Sequence, residues 1–345
     1  MYRLLLSAAA CYFYERRQSV KKRLQELDFL KGTAIILVVI GHVISQVLSR
    51  DPVVYEENPV FRTIYSFHMP LFTFISGYIC RLTVKTDSRW LIKRIRQIGI
   101  PYLLALILWY LILKRESISS FFSPMAYWYL PFVLIADTVL FCENRFRLKG
   151  LLFGGVIILS VAVCRFEKTQ IDIAHHLSHC LIFYAAGSCA PLFRERHKDR
   201  LLPIYCILTA GFLCMAPLYG QGLDRQINRL ESIFGSLNPG KAMTAAIFLT
   251  NKFIVPVCGI GAVLLLTYAV YHAQHTGALR SCIELIGQHT LFIYILHDLF
   301  FLRNCGNRIA SCVISVLTAL IIPLMISVVF RRIKTFIPVS RRKDK

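Results

Sequence analysis

A lysine and a histidine, Lys31 and His42, lie eleven residues apart within an apolar stretch that runs from Leu27 to Leu48. A stretch of this length can cross a bilayer as one helix, because the hydrocarbon core requires roughly 20 residues that rise about 1.5 Å each. Eleven steps of about 100° return the helix to within about 20° of its starting direction, so the two side chains share a face about 16 Å apart along the axis. Ionisable side chains in a membrane helix usually face a bundle interior or a wet cavity, so we expect this face to line a polar tunnel.

This face has two chemical capacities, proton transfer at His42 and anion binding at Lys31. An imidazole has an ordinary pKa of about 6.5, so it can act as a general base near neutral pH, typically for about a 100- to 10,000-fold gain in rate. It could instead accept an acyl group itself. Asp28 lies about 40° from the shared face and three residues from Lys31, where it could simply neutralise the lysine.

Two other histidines, His68 and His297, are further candidates for catalysis. His68 lies near the start of the second apolar run, ahead of Pro70 and Gly77, which allow a bend that exposes backbone carbonyls to a cavity. His297 follows Tyr294 by three residues near the end of the ninth apolar run. Each histidine could also be a hydrogen-bonding residue of the bundle, and both interpretations are open at this point.

Three basic side chains, Lys93, Arg94 and Arg96, precede the pair Pro101-Tyr102. A forked guanidinium donates paired, charge-assisted hydrogen bonds to phosphate oxygens, so this cluster is a candidate phosphate clamp for a coenzyme. Taken alone, the cluster is better explained as a topology signal that contacts anionic lipid, at about 1 kcal/mol per basic residue.

Three histidines at the start of the sixth apolar run, His175, His176 and His179, include the four-residue spacing that can hold a metal ion. Apart from Asp172, no nearby carboxylate or other ligand completes a site. We therefore predict no metal, and we interpret these histidines as interfacial hydrogen-bonding residues.

The composition is that of a polytopic membrane protein. Of the 345 residues, 56% are hydrophobic and 17% are charged, and the mean hydropathy of +0.57 is too high for an ordinary soluble domain. The net charge of +21 falls in short clusters between apolar runs, which positive-inside topology explains better than a nucleic-acid partner. The predicted fold is an all-α transmembrane bundle of about ten spans, at 27–49, 65–84, 97–113, 124–142, 150–164, 174–193, 201–219, 253–272, 283–302 and 309–330.

Both termini are predicted to be cytoplasmic. With that orientation 26 Lys and Arg residues fall on the inner side and 12 on the outer side, the bias that membrane proteins follow. It would place His42, His68 and His297 in the outer halves of their spans. The chain is then a single membrane domain over 1–345, divided into a basic cytoplasmic segment at 1–26, the bundle at 27–330 and a basic cytoplasmic tail at 331–345.

Two regions are open in this topology. The connection from Gly220 to Lys252 would be extracytoplasmic, and it could be either a functional loop near an acceptor or a disordered connector. The region 241–272 is long enough for one span or for a span plus a re-entrant piece.

Several segments resemble membrane acyltransferase family 3. In that family's first helix a basic residue, ten spacers and a histidine recur, as in Leu27-Asp28-Phe29-Leu30-Lys31-Gly32 followed by an aliphatic run into Gly41-His42. The family's usual arginine is Lys31 here, which keeps the charge but loses the bidentate fork. Similar segments follow in the family's order: Phe67-His68-Met69-Pro70-Leu71-Phe72, the basic cluster ahead of Pro101-Tyr102, and Tyr294-Ile295-Leu296-His297.

The resemblance implies an integral-membrane O-acyltransferase, in particular an O-acetyltransferase that takes acetyl groups from cytoplasmic acetyl-CoA. It implies three catalytic candidates, His42, His68 and His297. It also implies a set of coenzyme contacts at Lys31, Lys93, Arg94 and Arg96. An extended pantetheine arm has roughly the length that separates Lys31 from His42, so phosphates held at the basic residues would bring the thioester to the imidazole.

The expected partners are acyl-CoA, a glycan or lipid-linked saccharide acceptor, and membrane lipid, with the protein as a multi-pass component of the cell (inner) membrane. The alternative function is a transporter or flippase whose pathway is lined by the three histidines. Against a transporter, the sequence has no obvious two-half repeat, and transport requires no coenzyme clamp. A membrane sensor or scaffold is a third class.

Overall fold

A computed structural model describes residues 24–113, 127–166, 172–221, 223–235, 239–302 and 307–336. Every regular element in these ranges is helical and no strand occurs among them, as the all-α prediction requires. The predicted cytoplasmic segment 1–26 and tail 331–345 lie mostly outside the described residues.

The helices are numbered in chain order. They are α1 Leu24–Leu48, α2 Pro52–Glu57, α3 Pro59–Tyr65, α4 His68–Thr83, α5 Ser88–Leu113, α6 Tyr129–Phe146, α7 Leu151–Phe166, α8 Asp172–Arg196, α9 Leu201–Met215, α10 Leu223–Phe234, α11 Lys241–Leu249, α12 Val255–His272, α13 Gly277–Gln288, α14 Thr290–Leu296 and α15 Arg308–Phe336. A π-turn at Ile44–Leu48 ends α1, another at Thr250–Ile254 joins α11 to α12, and a 3-10 turn at His297–Phe300 follows α14.

Four helical runs in the described part are long and apolar enough to cross a membrane: Leu24–Leu48, Lys198–Leu218, Lys241–His272 and Arg308–Phe330. Large apolar side chains such as Ile207, Leu213 and Met325 are exposed on two of these runs, as expected of surfaces that face lipid. The other six predicted spans each overlap a helix but are shorter or less apolar. The number of ten spans and the location of the termini therefore stay predictions.

The described residues form two compact units. Unit 1 comprises the residues up to Tyr65 and those from Val263 onward, and unit 2 runs from Ser66 to Ala262.

Unit 2 is organised around the contact between α4 and α8. A Cβ on Gly77 would meet the backbone carbonyl of Tyr184, and one on Gly187 would meet the backbone of Phe74. Two helices can approach so closely only where a residue has no side chain. Apolar side chains close the core on either side of this crossing, among them Leu71, Ile75, Phe132, Leu181 and Tyr184.

The connection between α6 and α7 is a tight turn held by Glu143. Its carboxylate accepts hydrogen bonds from the backbone N–H groups of Gly150 at 2.8 Å, Leu152 at 2.7 Å and Phe153 at 3.0 Å. A carboxylate in this position satisfies N–H groups that a helix leaves unpaired at its first turn, and it opposes the positive end of the helix dipole. The turn therefore ends α6 and starts α7 within a few residues.

Unit 1 is organised around α1 and α13. A Cβ on Gly287 would meet the carbonyl of Asp28 and the backbone nitrogen of Gly32, and a Cβ on Gly32 would meet the carbonyl of Ile283. This backbone-to-backbone contact fixes the segment of α1 that carries Asp28 and Lys31. The adjacent core of α1 consists of Phe29, Ile35, Val38 and Val39, all of them buried.

The Gly287→Ala variant is expected to have a lower midpoint of thermal unfolding in detergent, because the added methyl group must push α13 away from Asp28. Overpacking of this kind lowers the free energy of unfolding by about 1 to 3 kcal/mol. Gly277→Ala, at the start of the same helix, is the matched control, since its Cβ would meet nothing within 4 Å. Equal midpoints for the two variants would contradict the proposed contact.

The structure departs from one expectation about connectivity and bears on one question that the sequence left open. The predicted ninth span at 283–302 is not one helix, because α13 and α14 are separated at His289, whose Nδ1 lies 2.7 Å from the Oγ atom of Ser327. Much of the connection from Gly220 to Lys252 is helical rather than a disordered connector. Its buried Gln226 accepts a hydrogen bond from the Gly220 backbone N–H and donates one to the Leu218 carbonyl at 2.8 Å. The run Lys241–His272 is a single helical stretch interrupted by a π-turn.

Candidate active site

The first helix carries Lys31 and His42 along one uninterrupted run from Leu24 to the π-turn. The predicted helical spacing between them is therefore present. Lys31 Nζ lies 2.6 Å from Asp28 Oδ1, with about a quarter of each side chain exposed. Asp28 thus neutralises Lys31, as the three-residue spacing allowed.

The π-turn at Ile44–Leu48 begins two residues after His42 and changes the direction of the next side chains. Such one-turn insertions are frequent at functional sites, because they break the regular register of a helix. Gln46 follows His42 by four residues and lies beside the imidazole, with Gln46 Nε2 3.4 Å from His42 Nδ1. Gln46 Nε2 also donates to Asp298 Oδ1 at 3.3 Å. One amide therefore links α1 to the turn after α14.

The 3-10 turn after α14 orients His297. Its Nδ1 lies 3.1 Å from the carbonyl of Ile293 and 2.8 Å from that of Tyr294. A carbonyl oxygen can only accept, so Nδ1 carries the proton and donates to both groups. In the neutral ring Nε2 then carries a lone pair. Within the described residues this Nε2 atom is buried and has no hydrogen-bond partner.

His42, His297 and Asp298 converge within unit 1. The two imidazole rings have centroids 5.2 Å apart. His297 Nε2 lies 3.3 Å from Asp298 Oδ1, close enough for an ion pair, although the angle is not that of a hydrogen bond. One ligand atom from each of the three residues lies within 4.8 Å of the others. His297 is buried, whereas His42 and Asp298 are half-buried.

This arrangement suits proton transfer. Two imidazoles next to a carboxylate can take up a proton, and the carboxylate stabilises the positive charge that results. Two imidazoles and a carboxylate are also a donor set that could hold a transition-metal ion. The sequence predicts no metal. Treatment with a chelator distinguishes catalysis by the side chains alone from catalysis that requires a metal ion.

The other histidines that the sequence motifs single out lie in unit 2. His68 is buried at the first turn of α4. His179 Nε2 lies 2.8 Å from the carbonyl of Lys252, so it donates a hydrogen bond there, and His176 stacks on Trp128 with ring centroids 3.5 Å apart. His179 therefore makes a hydrogen bond and His176 a stacking contact, and the interfacial location of these histidines stays a prediction. The side chain of His175 lies outside the described residues.

The basic cluster lies on the first turns of α5, in unit 2. Lys93 and Arg96 are exposed. The Nε atom of Arg94 donates to Asp137 Oδ2 at 2.5 Å, and Asp137 is completely buried. Among the predicted coenzyme contacts of this cluster, Arg94 is thus the one with a fixed orientation.

Three residues of these sites were not predicted from the sequence. Gln46 and Asp298 are separated by 252 positions, so only the fold brings them together. The four-residue spacing from His42 to Gln46 was a signal that could have been used. Asp137 lies within an apolar run, where a lone carboxylate was a signal that could have been used.

Comparison with known proteins identifies relatives. A family model described as "Acyltransferase domain" matches residues 24–332, most of the chain. The chain is 29% identical over 204 residues to "Nodulation protein NolL" of Sinorhizobium fredii (strain NBRC 101917 / NGR234), which covers 54% of this chain and 55% of that protein. It is 28% identical over 178 residues to "Nodulation protein NolL" of Mesorhizobium japonicum (strain LMG 29417 / CECT 9101 / MAFF 303099), which covers 46% of each. The chain therefore spans about half the length of the curated relatives it matches, and no solved structure matches it.

Proposed function

Since the chain belongs to the acyltransferase 3 family, we propose that it is a membrane O-acyltransferase whose reaction takes place at His42, His297 and Asp298. The observation that carries this proposal is the convergence of two imidazoles and a carboxylate, one ligand atom of each lying within 4.8 Å of the others. His68 stays a candidate from its sequence motif alone.

The proposed reaction transfers an acyl group from a thioester to a hydroxyl. His42 takes the hydroxyl proton as the O–H bond breaks, and the oxygen forms a bond to the thioester carbonyl carbon. The C–S bond then breaks, and the thiolate leaves with the proton that the imidazolium returns. Asp298 and His297 lie beside His42, and the negative charge of Asp298 stabilises the imidazolium while the proton is held.

The proposed acyl donor is acetyl-CoA. Its phosphates need forked or charged donors, and Lys93, Arg94 and Arg96 of unit 2 offer them. Lys31 of unit 1 is a further candidate, although Asp28 already offsets its charge. Arg94 supports this assignment best, because its ion pair with Asp137 uses Nε and leaves the outer edge of the guanidinium outside that pair.

The proposed acceptor is a hydroxyl of a surface glycan or lipid-linked saccharide, and the proposed location is the cell (inner) membrane. Four helices that are long and apolar enough to cross a bilayer support a membrane location. Mass spectrometry of surface glycans from cells with and without the gene is expected to reveal an acyl group only in the former.

Neutralising Arg94 and Arg96 together is expected to weaken the binding of acetyl-CoA to the purified protein. The loss is expected to be larger at low salt, because charges on exposed groups are screened within about 10 Å at 0.1 M salt. Binding is measured by equilibrium dialysis with labelled acetyl-CoA. Neutralising Lys198 and Arg200 is the control for the loss of two surface charges, since both are exposed and have the same spacing. The midpoint of thermal unfolding is measured in parallel, because Arg94 is also paired with the buried Asp137.

Unchanged binding in the Arg94 and Arg96 variant would return that cluster to the role of a topology signal. If the wild-type protein binds no acyl-CoA but moves a saccharide across the membrane of vesicles, the protein is a transporter and not an acyltransferase.

A further inference from the structure

Asp137 of α6 is a completely buried carboxylate at the centre of unit 2. Arg94 on α5 donates from Nε to its Oδ2 atom at 2.5 Å. Tyr184 on α8 donates from its hydroxyl to the Oδ1 atom at 2.5 Å. Three helices therefore meet at one carboxyl group, and each of its oxygens has a donor.

A buried charge costs several kcal/mol unless it is paired and hydrogen-bonded. Asp137 meets both requirements, so it can remain charged where it is. An ion pair that only stabilises the fold would have the same contacts. The feature that points to a further role is the geometry of Arg94.

The guanidinium of Arg94 is attached to Asp137 through Nε alone. A guanidinium is planar and has five N–H donors, so the four N–H groups on its two Nη atoms lie outside this bond. The Arg94 side chain is 25% exposed, whereas Asp137 is 0% exposed. The buried Asp137 thus holds the guanidinium at Nε, while part of the Arg94 side chain remains accessible.

We propose that Asp137 and Tyr184 are positioning residues, which hold the guanidinium of Arg94 in the orientation that binds the phosphates of the acyl donor. This rests on the proposed function, in which Arg94 contacts coenzyme phosphate. Arginine loses side-chain freedom when it binds an anion, and a partner that fixes it in advance removes that cost. A lysine ammonium has no second edge, so it could not bind Asp137 and present paired donors to a phosphate at the same time.

The charge around Arg94 supports the proposal. Lys93 and Arg96 lie within one turn of Arg94 on α5, and both are exposed. This end of the helix therefore carries positive charge that attracts an anionic ligand. Tyr184 fixes the other oxygen of Asp137, so the carboxylate plane and with it the guanidinium plane are determined.

The test compares two donors, acetyl-CoA and acetyl-pantetheine, which has the same thioester but lacks the coenzyme phosphates. Asp137→Asn keeps the shape of the side chain and removes its charge. It is expected to raise KM for acetyl-CoA about 10- to 100-fold, the effect of losing a charge-assisted hydrogen bond, with kcat changed by less than about threefold. KM for acetyl-pantetheine is expected to stay at the wild-type value.

Two further variants keep the test decisive if Asp137→Asn folds poorly. Tyr184→Phe leaves the ion pair and removes one hydrogen bond, and it is expected to raise KM for acetyl-CoA about threefold to tenfold. Arg94→Lys keeps a positive charge beside Asp137 but has no fork. Adding Tyr184→Phe or Asp137→Asn to Arg94→Lys is expected to raise KM little further, because both residues act through the guanidinium.

The outcomes are distinct. If the Asp137 and Tyr184 variants change both donors equally, or change kcat and not KM, the ion pair is only structural and the inference is wrong. If Arg94→Lys changes KM for acetyl-CoA but the Asp137 and Tyr184 variants do not, Arg94 binds phosphate without their help. If wild-type protein uses acetyl-CoA and acetyl-pantetheine equally well, the coenzyme clamp in the proposed function is itself wrong.

Discussion

His42→Gln is expected to lower the rate of acyl transfer by about 100- to 10,000-fold, the usual contribution of a positioned general base. Glutamine keeps a hydrogen-bonding side chain of similar reach but cannot take a proton. The protein is expected to insert into the membrane and to bind acetyl-CoA as before, since the Lys31 contact lies about three helical turns from His42. The measurement is transfer of labelled acetyl groups by purified protein, alongside acetyl-CoA binding.

The controls for this experiment separate the base from other roles of a histidine. His275→Gln makes the same substitution at an exposed position and is expected to leave transfer unchanged. Wild-type activity is expected to survive treatment with a chelator. Loss of activity that added metal restores would instead assign His42, His297 and Asp298 as metal ligands.

The companion variants His68→Gln and His297→Gln rank the three histidines in the same assay. Substantial transfer by His42→Gln would mean that His42 only orients substrate, and the base would then be whichever of the other two variants is inactive. If all three variants keep full activity, the proposed acyltransferase mechanism is wrong.

The helix that carries Lys31 and His42 was predictable because its information is local. An apolar run with two ionisable residues at helical spacing defines both the span and the shared face, and α1 has that form. The ion pair of Lys31 with Asp28 follows from the same periodicity. Residue type and spacing were sufficient here.

The partners of His42 in the turn after α14 were not predictable, because they depend on contacts between distant segments and on irregular backbone. The predicted ninth span is in fact two helices and a 3-10 turn, and that turn carries both His297 and Asp298. Gln46 reaches Asp298 across 252 positions from a π-turn. Hydrophobic periodicity carries no information about either irregularity, since both occur within apolar sequence.

Asp298→Asn is expected to lower kcat by about 10- to 100-fold, because it removes the negative charge beside two imidazoles while preserving the shape of the site. The Gln46 amide donates to Asp298 Oδ1 at 3.3 Å, and the oxygen of asparagine can accept the same bond. The variant therefore loses charge and little else. A hydrogen bond or ion pair to a charged group contributes about 1.5 to 3 kcal/mol, and each 1.36 kcal/mol in the barrier changes the rate tenfold.

The effect of Asp298→Asn is expected to fall on kcat and not on the KM for acetyl-CoA, since the charge is needed only while an imidazole holds the hydroxyl proton. Steady-state kinetics with the midpoint of thermal unfolding measured in parallel distinguish catalysis from stability. Asp199→Asn makes the same change at an exposed position and is expected to match the wild type in both measurements. A kcat for Asp298→Asn within about twofold of wild type would contradict a role for its charge. Even about 1.5 kcal/mol, the smallest contribution expected of a hydrogen bond or ion pair to a charged group, corresponds to about a tenfold loss. Asp298 would then be only the acceptor that holds Gln46 against His42.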